Sequence, residues 1–274
     1  MKLSFVKMQA VGNDFVLIDG TKSRDIEWDK LSIKVCDRHF GIGSDGLLIL
    51  LPSNRAAIRM RMFNPDGTED MCGNGLRCMA RFICENGYTD KDKFTVETIT
   101  GIREVEILDK DSWIVKANLG KPILEPENIP VLLDFSPIVD FSIEIEDKKF
   151  DITVISLGTT HSVIFLHKLP DDEMFNYYSP LIEKHPLFPK RTNVIWAKKN
   201  DEKEIEIRIW ERGVGETLGC GTGACAAKIA DVLRGGKSQS ARVISKGGIL
   251  EVEWKEDVFL SGKVERVFNG TYEK

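Results

Sequence analysis

Residues 71 to 82 read MCGNGLRCMARF, and residues 218 to 227 read LGCGTGACAA. Each stretch opens on the pattern C-G-x-G, with Cys72 in the first and Cys220 in the second. Gly67 stands five residues before Cys72, and Gly215 stands five before Cys220. Leu76, Met79, Ala80 and Ile83 then recur at helical spacing, as do Ala226, Ala227, Ala230 and Leu233. Gly87 and Gly235 each follow their cysteine by fifteen residues and are natural helix stops.

The correspondence extends outward. Ile58–Asn64 (IRMRMFN) parallels Ile205–Glu211 (IEIRIWE), and both alternate apolar and charged residues as half-buried strands do. Thr100–Ile107 parallels Gly247–Trp254, and Gly12–Ile18 parallels Gly158–Phe165. The chain therefore reads as an internal duplication of class α+β, in two pseudo-symmetric halves. In each half a sheet or barrel wraps around a central helix, since those helices look apolar on more than one side. The expected halves are 1–120, completed by 263–274, and 121–262, with the active site in the cleft between them. Residues 121–137, with Pro122, Pro126, Pro130 and Pro137, read as a linker.

Length and composition fit a globular protein: 274 residues, 42% apolar, 30% charged, net charge −5. There is no basic block, so nucleic acid is not an expected partner. The longest purely apolar run, Leu47 to Leu51, is far short of a membrane span. MKLSFVKMQAVGND has no signal-peptide core, and a cytoplasmic location follows as an expectation. In that reducing setting the six cysteines (36, 72, 78, 84, 220, 225) read as thiols, and no CxxC spacing suggests a metal.

A cysteine at a helix start is also compatible with inert packing, with half of a disulfide, or with a phosphate loop. The duplication favours chemistry. A helix N-terminus presents unpaired N–H groups and a positive dipole end, which stabilise a thiolate and bind a carboxylate. The glycines at 73, 75, 221 and 223 let a ligand approach the backbone. Two such ends facing one cleft would clamp a carboxylate with its α-carbon between two sulfurs. One thiolate could then remove the α-proton while the opposite thiol returns one to the other face, inverting the centre without a cofactor. Cys36, Cys78, Cys84 and Cys225 lack the glycines and read as structural.

AVGNDFVLID (10–19), FNPDGTEDMCGNGLRCMARF (63–82), RTNVIW (191–196) and ERGVGETLGCGTGACAA (211–227) strongly resemble the diaminopimelate epimerase family, in order and over nearly the whole chain. The resemblance implies two pseudo-symmetric halves with the site between them. It also implies interconversion of LL- and meso-diaminopimelate without pyridoxal phosphate or metal, in lysine and peptidoglycan precursor synthesis, and a homodimer. By the match Cys72 and Cys220 are base and acid. Gly73, Asn74, Gly221 and Thr222 would hold the reacting carboxylate through their backbone. Asn13, Asn64, Asn193, Glu211 and Arg212 would hold the amino groups and the far carboxylate. His161 and Glu211 would tune the cysteines. Asn13 and Asn64 are also compatible with plain turn residues.

The chain departs from the family at Gly158-Thr159-Thr160-His161, where Gly-Asn-Pro-His is usual. Thr159 thus stands where the family's asparagine contacts substrate, and offers a shorter hydroxyl in place of an amide. An alternative is a cofactor-independent racemase of lysine, histidine or proline. Arg212 argues for a second substrate carboxylate. A phosphate-binding protein is disfavoured, because neither glycine loop is followed by Lys-Ser/Thr. A non-enzymatic binding module and a thiol redox protein are the remaining alternatives.

Overall fold

The strand alternation read from residues 58–64 is what the fold is built on. Ile58, Met60, Met62 and Phe63 are buried while Arg59 is exposed, since successive strand side chains point to opposite faces. The computed structural model describes residues 2–23 and 26–273. It divides into two units, one running to Asn118 and resuming at Ser261, the other Leu119–Leu260.

The first unit holds β1 (Lys2–Ala10), β2 (Asn13–Asp19), α1 (Trp28–Cys36), β3 (Gly46–Leu51), β4 (Ile58–Phe63), β5 (Glu69–Asp70), α2 (Gly73–Glu85), β6 (Lys93–Thr98) and β7 (Gly101–Asp109), with β8 (Ile114–Gly120) running out of it. Strand β2 pairs antiparallel with β1 and parallel with β3. Strand β4 pairs antiparallel with β3 and β5 and parallel with β6, which pairs with β7.

The second unit repeats this order. It holds β9 (Phe141–Ile145), β10 (Lys148–Ser156), β11 (Thr160–Phe165), α3 (Asp172–Glu183), β12 (Asn193–Asp201), β13 (Glu204–Glu211), β14 (Gly215–Thr217), α4 (Gly221–Leu233), β15 (Ser240–Ser245) and β16 (Gly248–Trp254). The strand β17 (Val258–Lys263) leads back to β18 (Glu265–Glu273), which pairs with β1. Strand β11 pairs parallel with β12, and β13 pairs parallel with β15, at the places of β2–β3 and β4–β6. The registers agree as well: Phe15 lies beside Gly46, and His161 beside Asn193.

Each unit wraps strands around one helix. Helix α2 packs on β1, β2, β3, β4 and β7, and α4 on β10, β11, β12, β13, β15 and β16. Both are buried through most of their length, α2 from Gly73 to Ala80. The helices end where expected, with Gly87 and Gly235 at φ of 71° and 98°, the left-handed region where glycine carries no Cβ penalty. Gly75 and Gly223 also have a packing reason. A Cβ on Gly75 would come within 3.2 Å of Leu48 Cδ2, and one on Gly223 within 2.8 Å of Ile195 Cδ1. Leu48 and Ile195 lie in the equivalent strands β3 and β12.

Two helices fall outside the strand–helix–strand pattern that the motifs suggest. Helices α1 and α3 make the crossovers that parallel neighbours require. Asp171 caps α3 by accepting from the Met174 N–H at 2.9 Å. The linker expectation for 121–137 needs correction. Ile129 and Val131 are buried in the second unit's core, and Ile123 pairs with Ser156. The prolines there mark an irregular path across a packed surface. Among the described residues no helix is long and apolar enough to cross a membrane.

Candidate active site

Cys72 and Cys220 hold the same place in their units. Each is the residue capping the central helix, with φ and ψ of −128° and 128° for Cys72 and −126° and 115° for Cys220. Each carbonyl closes the first helical turn, to Leu76 N at 2.8 Å and to Ala224 N at 2.9 Å. The N–H groups of the next residues, including Gly73, Asn74, Gly221 and Thr222, have no partner within the helix by construction. A carboxylate is the natural occupant of such an end.

The surroundings of the two sulfurs differ. The Cys72 thiol points at Asn13 Oδ1 at 3.5 Å. That oxygen also accepts from Asn74 Nδ2 at 3.3 Å, and Asn74 Oδ1 accepts from Arg77 Nη2 at 2.7 Å. On its other side Asn13 Nδ2 donates to Asp45 Oδ2 at 2.7 Å. The Cys220 sulfur instead accepts from the Gly223 backbone N–H at 3.4 Å and lies 3.4 Å from the Thr222 hydroxyl.

In the second unit Asn193 Nδ2 donates to Thr159 Oγ1 at 3.1 Å and to Thr160 O at 3.0 Å, while Asn193 Oδ1 accepts from Arg212 N at 2.9 Å. Thr159 therefore serves as an acceptor that fixes the Asn193 amide. Glu211 accepts from the Thr217 hydroxyl at 2.6 Å. The exposed Arg212 reaches Lys190 O through Nη1 at 3.1 Å. Asn64 closes the Pro65-Asp66-Gly67 turn, receiving Gly67 N and donating to Thr68 Oγ1 at 3.0 Å.

His161 is fully buried, and neither ring nitrogen has a partner. Burial, and then the Arg212 charge, push its pKa down to about 3, so it is neutral near pH 7. Burial also pushes the Cys78 thiol up to about 12 and raises those of Cys36 and Cys84. These three are thiols at neutral pH.

Within the first unit the fold brings together Cys72, Gly73, Asn74 and Asn13, with Asn64 engaged in its own turn. Within the second it links Thr159, Asn193 and Arg212, and places Gly221 and Thr222 beside Cys220. Sequence reasoning missed Asp45, Arg77, Thr217 and Glu183. Glu183 is buried and accepts from Trp210 Nε1 at 2.7 Å, Gly213 N at 3.0 Å and Arg191 Nη1 at 3.1 Å, which ties down the loop carrying Arg212. Arg77 had a signal, a charge between Leu76 and Cys78 in a helix read as apolar on more than one side. Among the described residues, no group of three or more His, Cys, Asp or Glu side chains is placed to hold a metal.

A duplicated chain of strand-wrapped helices, each capped by a cysteine, has the fold of known epimerases. The structure of a hydroxyproline epimerase from Agrobacterium vitis is similar, with TM-score 0.74 at 14% identity, covering 98% of this chain and 92% of that one. A phenazine biosynthesis protein of Bacillus anthracis gives 0.69 at 18% identity over 100% of both chains. The chain belongs to the diaminopimelate epimerase family, whose model matches residues 5–125 and 153–267. The diaminopimelate epimerase of Caldanaerobacter subterraneus subsp. tengcongensis is 42% identical over 99% of this chain and 100% of its own length. That of Methanococcus maripaludis strain C6 is 40% identical over 98% and 99%.

Proposed function

We propose that the chain epimerises LL-2,6-diaminopimelate to meso-diaminopimelate, as an isomerase of lysine and peptidoglycan precursor synthesis. The observation that carries the reading is the pair of cysteines capping equivalent helices with matched backbone conformation, in a chain of this family. The chemistry requires the two thiols to reach opposite faces of one α-carbon. One sulfur, as thiolate, takes the α-proton. The electron pair left on carbon delocalises into the carboxylate, whose negative charge the first-turn N–H groups of the two helices stabilise. The other thiol delivers its proton to the opposite face. The pair ends with protonation states exchanged and runs backwards on the product. The Glu211 carboxylate suits an ammonium group and the exposed Arg212 suits the distal carboxylate.

A single-carboxylate amino acid is the second reading, favoured only by Thr159 in the Gly158–His161 loop. A threonine hydroxyl already bound to Asn193 offers a substrate less than an amide would. Purified protein, without added cofactor, is expected to invert LL-diaminopimelate and to leave L-lysine, L-histidine and L-proline unchanged by chiral chromatography. Cys72→Ala and Cys220→Ala should each lose epimerisation by a factor of at least about 10³. Free epimerisation by either variant would sink the two-thiol mechanism.

A homodimer in the cytoplasm completes the proposal, supported by Val267 and Phe268 exposed on β18. Sedimentation of the pure chain and fractionation of the source cells check both points.

A further inference from the structure

The Cys72 thiol ends a chain of side chains with a fixed direction. It runs from the Asp45 carboxylate through the Asn13 amide and the Asn74 amide to the Arg77 guanidinium, with contacts of 2.7, 3.3 and 2.7 Å. A carboxylate only accepts and a guanidinium only donates. The Asp45 end therefore demands the NH2 group of Asn13, and the Arg77 end demands the carbonyl of Asn74. Between them, the Asn74 NH2 must face the Asn13 carbonyl. Neither amide can turn over without setting donor against donor or acceptor against acceptor. A turned Asn13 would place its carbonyl on the Asp45 carboxylate, and a turned Asn74 would place its NH2 on the Arg77 guanidinium.

The ends are themselves held. Asp45 Oδ2 also accepts from the Asp14 backbone N–H at 3.0 Å, and Asp45 Oδ1 pairs with Arg38 at 2.8 Å. Arg38 also grips Asp14 at 2.7 Å, and Lys7 reaches Asp14 at 2.6 Å. Burial alone would raise the Asp14 pKa, but hydrogen bonds from Arg38 and Lys7 outweigh it and leave the carboxyl below its usual range. Arg77 is fully buried, and its Nη1 lies 3.5 Å from Lys263 O. The equivalent position in the second unit is Cys225, which carries no such charge.

We infer that Asp45 and Arg77 are positioning residues that lock the Asn13 amide with its carbonyl toward Cys72, so that Cys72 waits in the unliganded chain as a thiol, its proton-donating form. This rests on reading Cys72 as a proton-transfer group. The start of α2 favours the thiolate, and against it a carbonyl aimed at sulfur accepts from S–H and repels S⁻, whereas a turned amide would donate to the thiolate and favour it. Other charged and titratable groups around Cys72 in its unit are Lys7, Asp14 and Arg38 in the same cluster, Cys78 on its helix, and Asp70 and the Arg61-paired Glu69 on β5. None of these is altered by the substitutions below.

The test reads the thiol without turnover. In the full-length Cys220→Ala chain, the rate of Cys72 alkylation by iodoacetamide is followed against pH, with the site identified by peptide mass spectrometry. Adding Asp45→Ala removes the group that demands the Asn13 NH2, so that only the 3.3 Å contact with Asn74 opposes turning, and the alkylation midpoint should fall by about one pH unit. Arg77→Met should move it the same way, while Asp45→Asn and Arg77→Lys, which keep an acceptor and a donor, should shift it less. An unchanged or raised midpoint in a folded Asp45→Ala chain overturns the inference. Asp45 is partly exposed, so that variant decides even if Arg77→Met does not fold. The functional reading fails separately: Cys72→Ala that still epimerises would remove it without touching the amide chain.

Discussion

His161 occupies the place in β11 that Phe15 holds in β2: Phe15 lies beside Gly46, and His161 lies beside Asn193. The second unit has put an imidazole into a cavity that its counterpart fills with a benzene ring. This explains both the full burial and the absence of partners on the two nitrogens. It also sets a sign for pH dependence. The folded pKa is about 3, below the ordinary 6.5, so the unfolded chain binds the proton first as pH falls. Stability from this residue is complete above pH 6.5 and is lost progressively as pH falls toward 3. The slope in that window approaches about 1.4 kcal/mol per pH unit for one proton. Urea midpoints between pH 7 and pH 5 should therefore fall less in His161→Phe, the substitution that copies the first unit. An equal fall in both chains would mean that the folded imidazole takes up its proton as readily as the unfolded one.

At the scale of elements, the two central helices test how tightly the thiols are held. A Cβ on Gly223 would come within 2.8 Å of Ile195 Cδ1 and 3.3 Å of the Cys220 Cβ, so β12 and the capping cysteine must both give way. On Gly75 the nearest atom, Leu48 Cδ2, is 3.2 Å away and the Cys72 Cβ 3.6 Å. Alanine gains about 1 kcal/mol of helix propensity at either place, and overpacking costs about 1–3 kcal/mol. Gly223→Ala should lower unfolding free energy by a further 1–2 kcal/mol or so relative to Gly75→Ala, measured by urea denaturation. Equal effects would show that α4 slides freely on β12. The α4 cap, the strand alternation and the helix stops were legible in the sequence because each follows from local rules: period two, period near 3.6, and a glycine at positive φ. The crossovers α1 and α3 were not. Nothing in a repeat of C-G-x-G motifs says that β2 and β3, or β11 and β12, run parallel. The buried Lys228–Asp231 pair at 2.7 Å, reinforced by Lys199 at 3.0 Å, was equally hidden, since three charges read in sequence as a solvated face.

The whole molecule is a duplication whose halves keep their backbone and diverge around the sulfurs. Position for position, Asn13, Asp45 and Asn74 in the first unit answer to Thr159, Thr192 and Thr222 in the second. One thiol faces a carbonyl in a charged amide chain, and the other faces an N–H and a hydroxyl. The motifs made the cysteines legible, and the Cys220 partners lie within its own motif, but Asn13 and Asp45 come from a strand and a loop that only folding brings to the start of α2. Under the proposed mechanism a pair of non-equivalent thiols acts as one device, because a single base reaches one face of a carbon. The isotope pattern expresses this. In D2O both thiols exchange with solvent before substrate binds. On that mechanism the α-proton of LL-diaminopimelate leaves on one sulfur, and a deuteron arrives from the other. At low conversion, meso product should carry nearly one deuterium at the inverted carbon, while recovered LL substrate carries almost none, by mass spectrometry. A product that keeps much of the original proton would mean that one group removes it and returns it, and the duplication would then need another explanation than two-face proton transfer.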